Sequence, residues 1–148
     1  MPYEFKVTRR VEFSDTDMVG IVHYSNFFRY METAEHGFFR SLGFSVLLNQ
    51  FELPLGLPRV HAECDYKLPL RFEDEVEIHL LVSEKKSRSL SYVVCFRRLN
   101  ATPVLEVARG KLTVVCVLRQ PDGKMVATPI PKPIADLIEV APKELLLY

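Results

Sequence analysis

The chain begins with two segments whose apolar residues recur at different intervals. In the first, apolar and polar residues alternate imperfectly and predict a strand; the apolar ones are Phe5, Val7, Val11 and Phe13. In residues 25–42 the interval changes to three and four, with polar residues on the opposite side, which predicts a helix of about five turns. Ser25 or Asn26 is positioned to cap the start of this helix, and Gly43 is expected to end it in the left-handed conformation.

After residue 58 the alternation of apolar and polar residues returns and predicts an antiparallel sheet. Residues 60–68 form a half-buried strand that ends at Pro69. Residues 76–82 and 90–96 form the two strands of a hairpin, with residues 85–89 as the connecting turn. A longer strand is predicted over residues 104–118, in which Gly110 is expected to mark a bulge or a bend.

The remaining segments complete an α+β fold. Residues 45–58 predict a short helical turn followed by a loop, and residues 120–123 (QPDG) predict a turn. Residues 134–140 predict a short terminal helix that ends before Pro142. At 148 residues, the chain is expected to form a single domain, residues 1–148, with one long helix packed on an antiparallel sheet.

Composition and charge exclude several classes of partner. Nineteen Lys and Arg residues balance nineteen Asp and Glu residues, so the chain lacks the overall positive field that binds nucleic acid or an anionic membrane surface. No apolar run reaches the length of a membrane span, and the first residues have neither signal-peptide nor transit-peptide character. We therefore expect a cytoplasmic protein that binds no nucleic acid and no membrane.

The sequence predicts no metal site and no cofactor. The three cysteines are far apart and are expected to be buried, reduced thiols; they are Cys64, Cys95 and Cys116. The histidines lack the spacing of metal ligands. A Gly-x-Ser-x-Gly motif and a glycine-rich phosphate loop are also absent from the sequence.

Asp17 lies in a run that combines a carboxylate, a glycine turn and the start of the predicted helix. Residues 13–27 of this run read FSDTDMVGIVHYSNF. A carboxylate supplies a base or a nucleophile, and the free N–H groups of a helix N-terminus can hold the oxyanion that forms when a carbonyl is attacked. Acyl transfer is therefore the first reaction class to consider, although Asp15 and Asp17 are also typical turn residues. At Tyr24 the functional group would be the backbone N–H.

A compact basic run lies at the predicted hairpin turn and consists of Lys85, Lys86 and Arg88. It has two interpretations. The residues are either a solvated tip or, with the serines between them, a grip for ligand phosphates.

The same residues identify a family. Residues 13–27, followed by FRYME, resemble the hotdog-fold acyl-CoA thioesterases of the 4-hydroxybenzoyl-CoA thioesterase type. The Asp-x-Asp, the glycine three residues after the second Asp, the aliphatic pair and the Asn all fall in register. The resemblance implies an antiparallel sheet of about five strands wrapped around one long helix. It also implies homodimers with active sites at the subunit interface, and often homotetramers.

Site roles follow from the resemblance by position. Asp17 would be the catalytic carboxylate, acting as nucleophile or as general base toward water, and the Tyr24 backbone N–H would polarise the thioester carbonyl. Glu32 would lie near the acyl group, and Lys86 and Arg88 would contact the nucleotide end of coenzyme A.

Two positions depart from related enzymes. The Tol-Pal-associated acyl-CoA thioesterases have histidine seven residues after the catalytic Asp, where this chain has Tyr24, and its histidine comes one position earlier, at His23. Ser87 stands where the 4-hydroxybenzoyl-CoA enzyme has a basic residue.

The predicted activity is hydrolysis of an acyl-CoA thioester, and two alternatives remain open. A hotdog hydratase acting on hydroxyacyl thioesters would need a His and acid pair, for which His23 and Asp17 are the candidates. A non-catalytic module would bind acyl-CoA or an aromatic ligand without turnover. Release of free thiol from a panel of acyl-CoA compounds distinguishes the three.

Overall fold

The computed structural model of the chain describes residues 2–147 and contains one long helix, two short ones and eight strands. The helices are α1 (Tyr24–Ser41), α2 (Lys132–Ala135) and α3 (Lys143–Leu146). The strands are β1 (Glu4–Arg10), β2 (Leu55–Gly56), β3 (Arg59–Tyr66), β4 (Glu75–Lys85), β5 (Ser89–Arg98), β6 (Leu105–Val115), β7 (Val117–Arg119) and β8 (Met125–Ala127). No helix within residues 2–147 is long and apolar enough to cross a membrane.

Five strands form one antiparallel sheet in the order β1-β4-β5-β6-β3, and α1 packs against one of its faces. The other three strands form a small antiparallel sheet in the order β2-β7-β8. The predicted α+β class and the hotdog architecture implied by the resemblance are therefore confirmed.

The core lies between α1 and the inward-facing side chains of the sheet. Phe38 of α1 packs edge-on against Tyr92 of β5 with 6.3 Å between ring centroids, and Phe27 meets Phe96 at 5.2 Å. Each of these rings is almost fully excluded from solvent. The three- and four-residue spacing in α1 and the alternation in β4 and β5 thus meet in a single apolar interior.

Gly110 has a different role from the one predicted. The register of β6 shifts elsewhere, so this glycine marks no bulge. A Cβ atom at this position would overlap the end of the Met31 side chain in α1 and would lie 3.2 Å from the backbone carbonyl oxygen of Glu63. The glycine therefore allows the helix to approach the sheet closely.

The first strand and the start of the helix differ from prediction by a few residues. The strand ends at Arg10, and residues 13–15 form a 3-10 turn because Glu12 and Asp15 exchange backbone and side-chain hydrogen bonds. The helix begins at Tyr24, and its cap is the His23 ring rather than Ser25 or Asn26. Gly43 ends it with a φ of +89°, as predicted.

The prediction that residues 60–68 form a half-buried strand is wrong for the single chain. β3 is the edge of the main sheet, and seven of its eight residues are exposed, with Cys64 only partly covered. Val60, which was predicted to face inward, is 61% exposed. Alternation reports the two faces of a strand, but it does not reveal whether any element covers them.

Segments near the C-terminus also depart from prediction. The long strand predicted to reach residue 118 breaks at Cys116, whose N–H donates to the carbonyl of Arg88 at 2.7 Å. The helix predicted over residues 134–140 is a single turn, α2. Beyond it the backbone bonds elsewhere: Glu139 N–H donates to the Pro2 carbonyl at 3.1 Å and Ala141 N–H to the Val82 carbonyl at 2.8 Å.

Candidate active site

Asp17 is held in a tight loop by its own carboxylate. Its Oδ1 accepts hydrogen bonds from the N–H groups of Val19 at 2.9 Å and Ile21 at 3.4 Å. The backbone closes the same loop, since Gly20, with a φ of +90°, donates to the Asp17 carbonyl at 3.0 Å. The second carboxylate oxygen, Oδ2, accepts no hydrogen bond from residues 2–147 and is free to meet a substrate or a water.

Asp15 joins this loop to the helix that follows. Its Oδ2 accepts from the N–H of Glu12 at 2.9 Å and from the hydroxyl of Tyr30 at 3.0 Å. Its carbonyl accepts from the N–H of His23 at 2.9 Å and from Nδ2 of Asn26 at 2.8 Å. Burial raises the pKa of the Tyr30 hydroxyl, which therefore stays a donor to the carboxylate. Asp15 thus has a structural role in the turn, as expected, and it fixes the position of the helix start relative to Asp17.

Tyr24 is the first residue of α1, and its backbone N–H has no acceptor among residues 2–147. The N–H therefore remains one of the unpaired donors of a helix N-terminus. Its carbonyl accepts from the hydroxyl of Tyr66 at 3.0 Å, which ties the helix start to the end of β3. The Tyr24 ring is 64% exposed.

The His23 ring is part of the helix cap. Its Nδ1 lies 2.7 Å from the hydroxyl of Ser25 and 3.3 Å from the N–H of the same residue. The ring also stacks on Tyr24, with centroids 4.4 Å apart. Within residues 2–147 no hydrogen bond or ion pair joins this ring to Asp17, so the pair that a hydratase would need is not formed.

Asp17 and Tyr24 meet at one pocket of about 510 Å³. Its lining residues are Asp17, Val19, Ile21, Val22, Tyr24, Phe27, Tyr66, Lys67, Leu68, Pro69, Leu70 and Arg71. Apart from Asp17, Lys67 and Arg71, the walls that residues 2–147 form carry no ionisable group other than two tyrosine hydroxyls. A carboxylate and a free helix N-terminus therefore share an apolar pocket, which favours attack on a carbonyl.

Sequence reasoning missed the second wall of this pocket, residues 66–71. Long-range backbone bonds bring it to the Asp17 loop: Val22 N–H donates to the Leu70 carbonyl at 2.8 Å, and Ile21 forms an antiparallel bridge with Arg71. The only local signal was Pro69, which ends the strand pattern.

The other predicted site residues lie away from this pocket. Glu32 is exposed on α1, eight residues or about 12 Å beyond Tyr24. Lys86 and Arg88 lie on the exposed turn between β4 and β5, where Lys86 Nζ contacts Glu84 at 3.2 Å. β4 has eleven residues, and Arg71 bonds to Asp74 just before its start, so this turn and the pocket lie about 35 Å apart.

Neither a metal site nor a reactive cysteine is found among residues 2–147. Among residues 2–147 there is no cluster of three His, Cys, Asp or Glu side chains that could hold a metal ion. Cys95 and Cys116 are buried and Cys64 is half-buried. Burial raises the pKa of the Cys64 thiol to about 11, so it is neutral and a poor nucleophile at neutral pH.

Comparisons with known proteins identify the family of the chain. The sequence profile of the Thioesterase-like superfamily matches residues 11–138. A putative esterase of Aquifex aeolicus (strain VF5) is 36% identical over 141 residues, which cover 94% of this chain and 99% of that protein. The solved structure of BH1999 gentisyl-coenzyme A thioesterase is 32% identical, with a TM-score of 0.73 over 87% of this chain and 98% of its own.

The fold implied by the resemblance is also found in a solved enzyme. The 4-hydroxybenzoyl-CoA thioesterase of Pseudomonas sp. strain CBS-3 superimposes with a TM-score of 0.79 at 21% identity, covering 91% of this chain and 99% of its own. The chain therefore belongs to the Thioesterase-like superfamily, has its hotdog fold and is a thioester hydrolase.

Proposed function

We propose that the protein hydrolyses acyl-CoA thioesters with Asp17 as its catalytic carboxylate and the Tyr24 N–H as donor to the thioester carbonyl. The observation that carries this proposal is the shared pocket, which is lined both by Asp17, with one carboxylate oxygen free of hydrogen bonds from residues 2–147, and by Tyr24, the first residue of α1. A thioester carbonyl is already electrophilic, so one oriented carboxylate and backbone donors suffice.

The reaction divides between these two groups. Asp17 either attacks the carbonyl carbon or takes a proton from a water that attacks it. Negative charge then develops on the carbonyl oxygen, where the Tyr24 N–H and the positive end of the helix dipole stabilise it. Collapse of the tetrahedral intermediate breaks the C–S bond, and coenzyme A leaves as the thiolate or, after protonation, as the thiol. Attack by water gives the free acid directly. Attack by Asp17 leaves the acyl group on its carboxylate as a mixed anhydride, which water then hydrolyses to the free acid and the regenerated carboxylate. Bonds from Val19 and Ile21 to Oδ1 keep Oδ2 oriented for this role.

Free-thiol release from a panel of aromatic, short-chain and long-chain acyl-CoA compounds tests the proposal. A hydrolase releases thiol from at least one class. A hydratase would add water to an unsaturated acyl chain without thiol release, and its His and acid pair is not formed here. A binding module would do neither.

We also propose that the protein is a cytoplasmic homodimer or homotetramer. Two features support assembly: the exposed edge of β3, and apolar side chains beside the pocket that stay in contact with water in the single chain. Met18 is fully exposed and Val19 is 79% exposed. A second copy would also offer Glu32, Lys86 and Arg88 a route to a bound substrate, which one chain does not provide.

Light scattering is expected to give the mass of two or four chains at micromolar concentration. The physical reason is that an unpaired strand edge and an adjoining apolar surface are both stabilised by burial. An active monomer would contradict the proposed assembly.

The double variant Lys86→Ala and Arg88→Ala is expected to raise KM for acyl-CoA by about tenfold and to leave kcat nearly unchanged. The phosphates of coenzyme A are remote from the thioester, so contacts to them bind ground and transition states alike. Steady-state kinetics at several salt concentrations measure this, because exposed phosphate contacts weaken with ionic strength.

An acyl-pantetheine, which lacks the nucleotide, is the control substrate and should not distinguish the parent from this double variant. Equal KM values for acyl-CoA at low salt would identify the turn as a solvated tip.

A further inference from the structure

The active-site pocket contains one cation that has no hydrogen-bond or ion-pair partner among residues 2–147. Of its two basic residues, Lys67 forms an ion pair with Glu106. The guanidinium of Arg71 has no hydrogen bond or ion pair with residues 2–147, although Arg71 lines the same pocket as Asp17 and Tyr24. Arginine stays charged at any physiological pH, so this pocket holds a permanent free positive charge.

The backbone that carries this cation is firmly held. Arg71 N–H donates to Oδ2 of Asp74 at 2.7 Å, and the residue also forms a bridge with Ile21. Its neighbour Leu70 is completely buried and accepts from Val22 N–H at 2.8 Å. Arg71 is exposed in the single chain, and its held backbone gives the side chain a fixed origin where the residue lines the pocket, which favours recognition of a ligand.

Arg71 reaches the part of the pocket where a thioester would react. Asp17 N–H donates to the Ile21 carbonyl at 2.9 Å, and Ile21 is bridged to Arg71. Two strand spacings therefore separate the backbones of Asp17 and Arg71 by about 10 Å. The extended pantetheine arm carries the coenzyme A phosphates farther than this from the sulfur, so the acyl group is the nearer source of an anion for Arg71.

We propose that Arg71 is a specificity-determining residue whose guanidinium binds an anionic oxygen on the acyl group, a carboxylate or an ionised hydroxyl. This inference rests on the proposed role of Asp17, because that role locates the thioester in the pocket. The planar fork of donors on arginine matches a carboxylate with two parallel hydrogen bonds. The preferred substrate is then an acyl-CoA that carries a negative charge beyond the thioester.

The test compares acyl groups of similar shape that differ in charge: 4-carboxybenzoyl-CoA with 4-methylbenzoyl-CoA, and glutaryl-CoA with hexanoyl-CoA. Arg71→Gln is expected to lower kcat/KM for the carboxylated member by about 10- to 100-fold and to change the neutral member less than twofold. Arg71→Lys should retain part of the preference, because lysine keeps the charge but loses the fork. Arg119→Gln, on an exposed arginine of β7 outside the pocket, is the matched control and should behave as the parent.

Two kinetic outcomes would overturn the proposal. In the first, Arg71→Gln lowers kcat/KM equally for charged and neutral acyl-CoA but leaves kcat/KM for the matching acyl-pantetheines unchanged. That result would mean that Arg71 binds the phosphates of coenzyme A. In the second, Arg71→Gln changes kcat/KM for none of the substrates. That result would mean that Arg71 is a solvated arginine without a role in binding.

A binding measurement separates this inference from the proposed function. Calorimetric titration with a thioether analogue of 4-carboxybenzoyl-CoA, which cannot be hydrolysed, should give a Kd about 10- to 100-fold higher for Arg71→Gln than for the parent. That difference would support Arg71 even if every thioester assay were negative. Equal Kd values with an active enzyme would reject Arg71 alone.

Discussion

Asp17→Asn is expected to lower kcat by about 10² to 10⁴ while leaving the fold intact. The amide keeps an oxygen that can accept the bonds now made by Val19 and Ile21, so the loop has no reason to rearrange. It loses the negative charge that attacks the carbonyl or takes a proton from water. Steady-state thiol release and a thermal unfolding curve, measured on the same preparation, separate lost chemistry from lost structure.

Asp15→Asn is the matched control, two residues away. This carboxylate bonds to Glu12 and Tyr30 and has a structural role, so we expect a loss of about 1 kcal/mol of stability and a much smaller effect on kcat. Equal losses of kcat from the two substitutions would remove Asp17 from its assigned role.

Arg59→Met is expected to lower the free energy of unfolding by about 3 kcal/mol at pH 7. Arg59 of β3 donates to Oε1 of Glu35 at 2.6 Å, and Glu35 in α1 is only 2% exposed. The arginine is itself one-third exposed, so the expected loss of stability lies at the lower end of the range for breaking a buried ion pair. Removing it leaves a buried carboxylate without its counter-charge. Urea unfolding at fixed protein concentration measures the loss.

The pH dependence of this loss has a definite sign. Burial raises the pKa of Glu35 in the folded protein, and the charge of Arg59 opposes that shift. A raised folded pKa makes the protonated form favourable for folding, so its contribution is present below the unfolded pKa and disappears as pH rises through the folded pKa. Without Arg59 the pKa of Glu35 rises further, and the destabilisation of Arg59→Met should therefore shrink as the pH is lowered from 7 toward about 4.

Glu35→Gln in the Arg59→Met background is the control, because it removes the titrating group. This double variant should be more stable than Arg59→Met at pH 7. Its stability relative to the parent should also depend less on pH between 7 and 5 than that of Arg59→Met does. An Arg59→Met loss that does not change with pH would show that packing rather than charge accounts for it.

Much of the candidate site could be predicted from the sequence, because the residues concerned are close neighbours in the chain. Asp17, Gly20 and the helix start lie within eight residues of one another, so their arrangement follows from turn and helix geometry. The helix end at Gly43 and the β4–β5 hairpin are equally local. The residue that caps the start of α1 was not predicted correctly. The side chains of His23, Ser25 and Asn26 can all accept from the free N–H groups there, and the spacing of apolar residues does not distinguish among them.

The sequence by itself determined the long helix, the alternation of the strands and the carboxylate ahead of the helix, because each depends on neighbours in the chain. Only the tertiary structure decided which residues share a pocket. Pairing of Ile21 with Arg71 and of Val22 with Leu70 spans about fifty residues, and no local period encodes it. The same long-range geometry left β3 exposed and held the basic turn far from Asp17, because sheet order sets which ends of the strands meet.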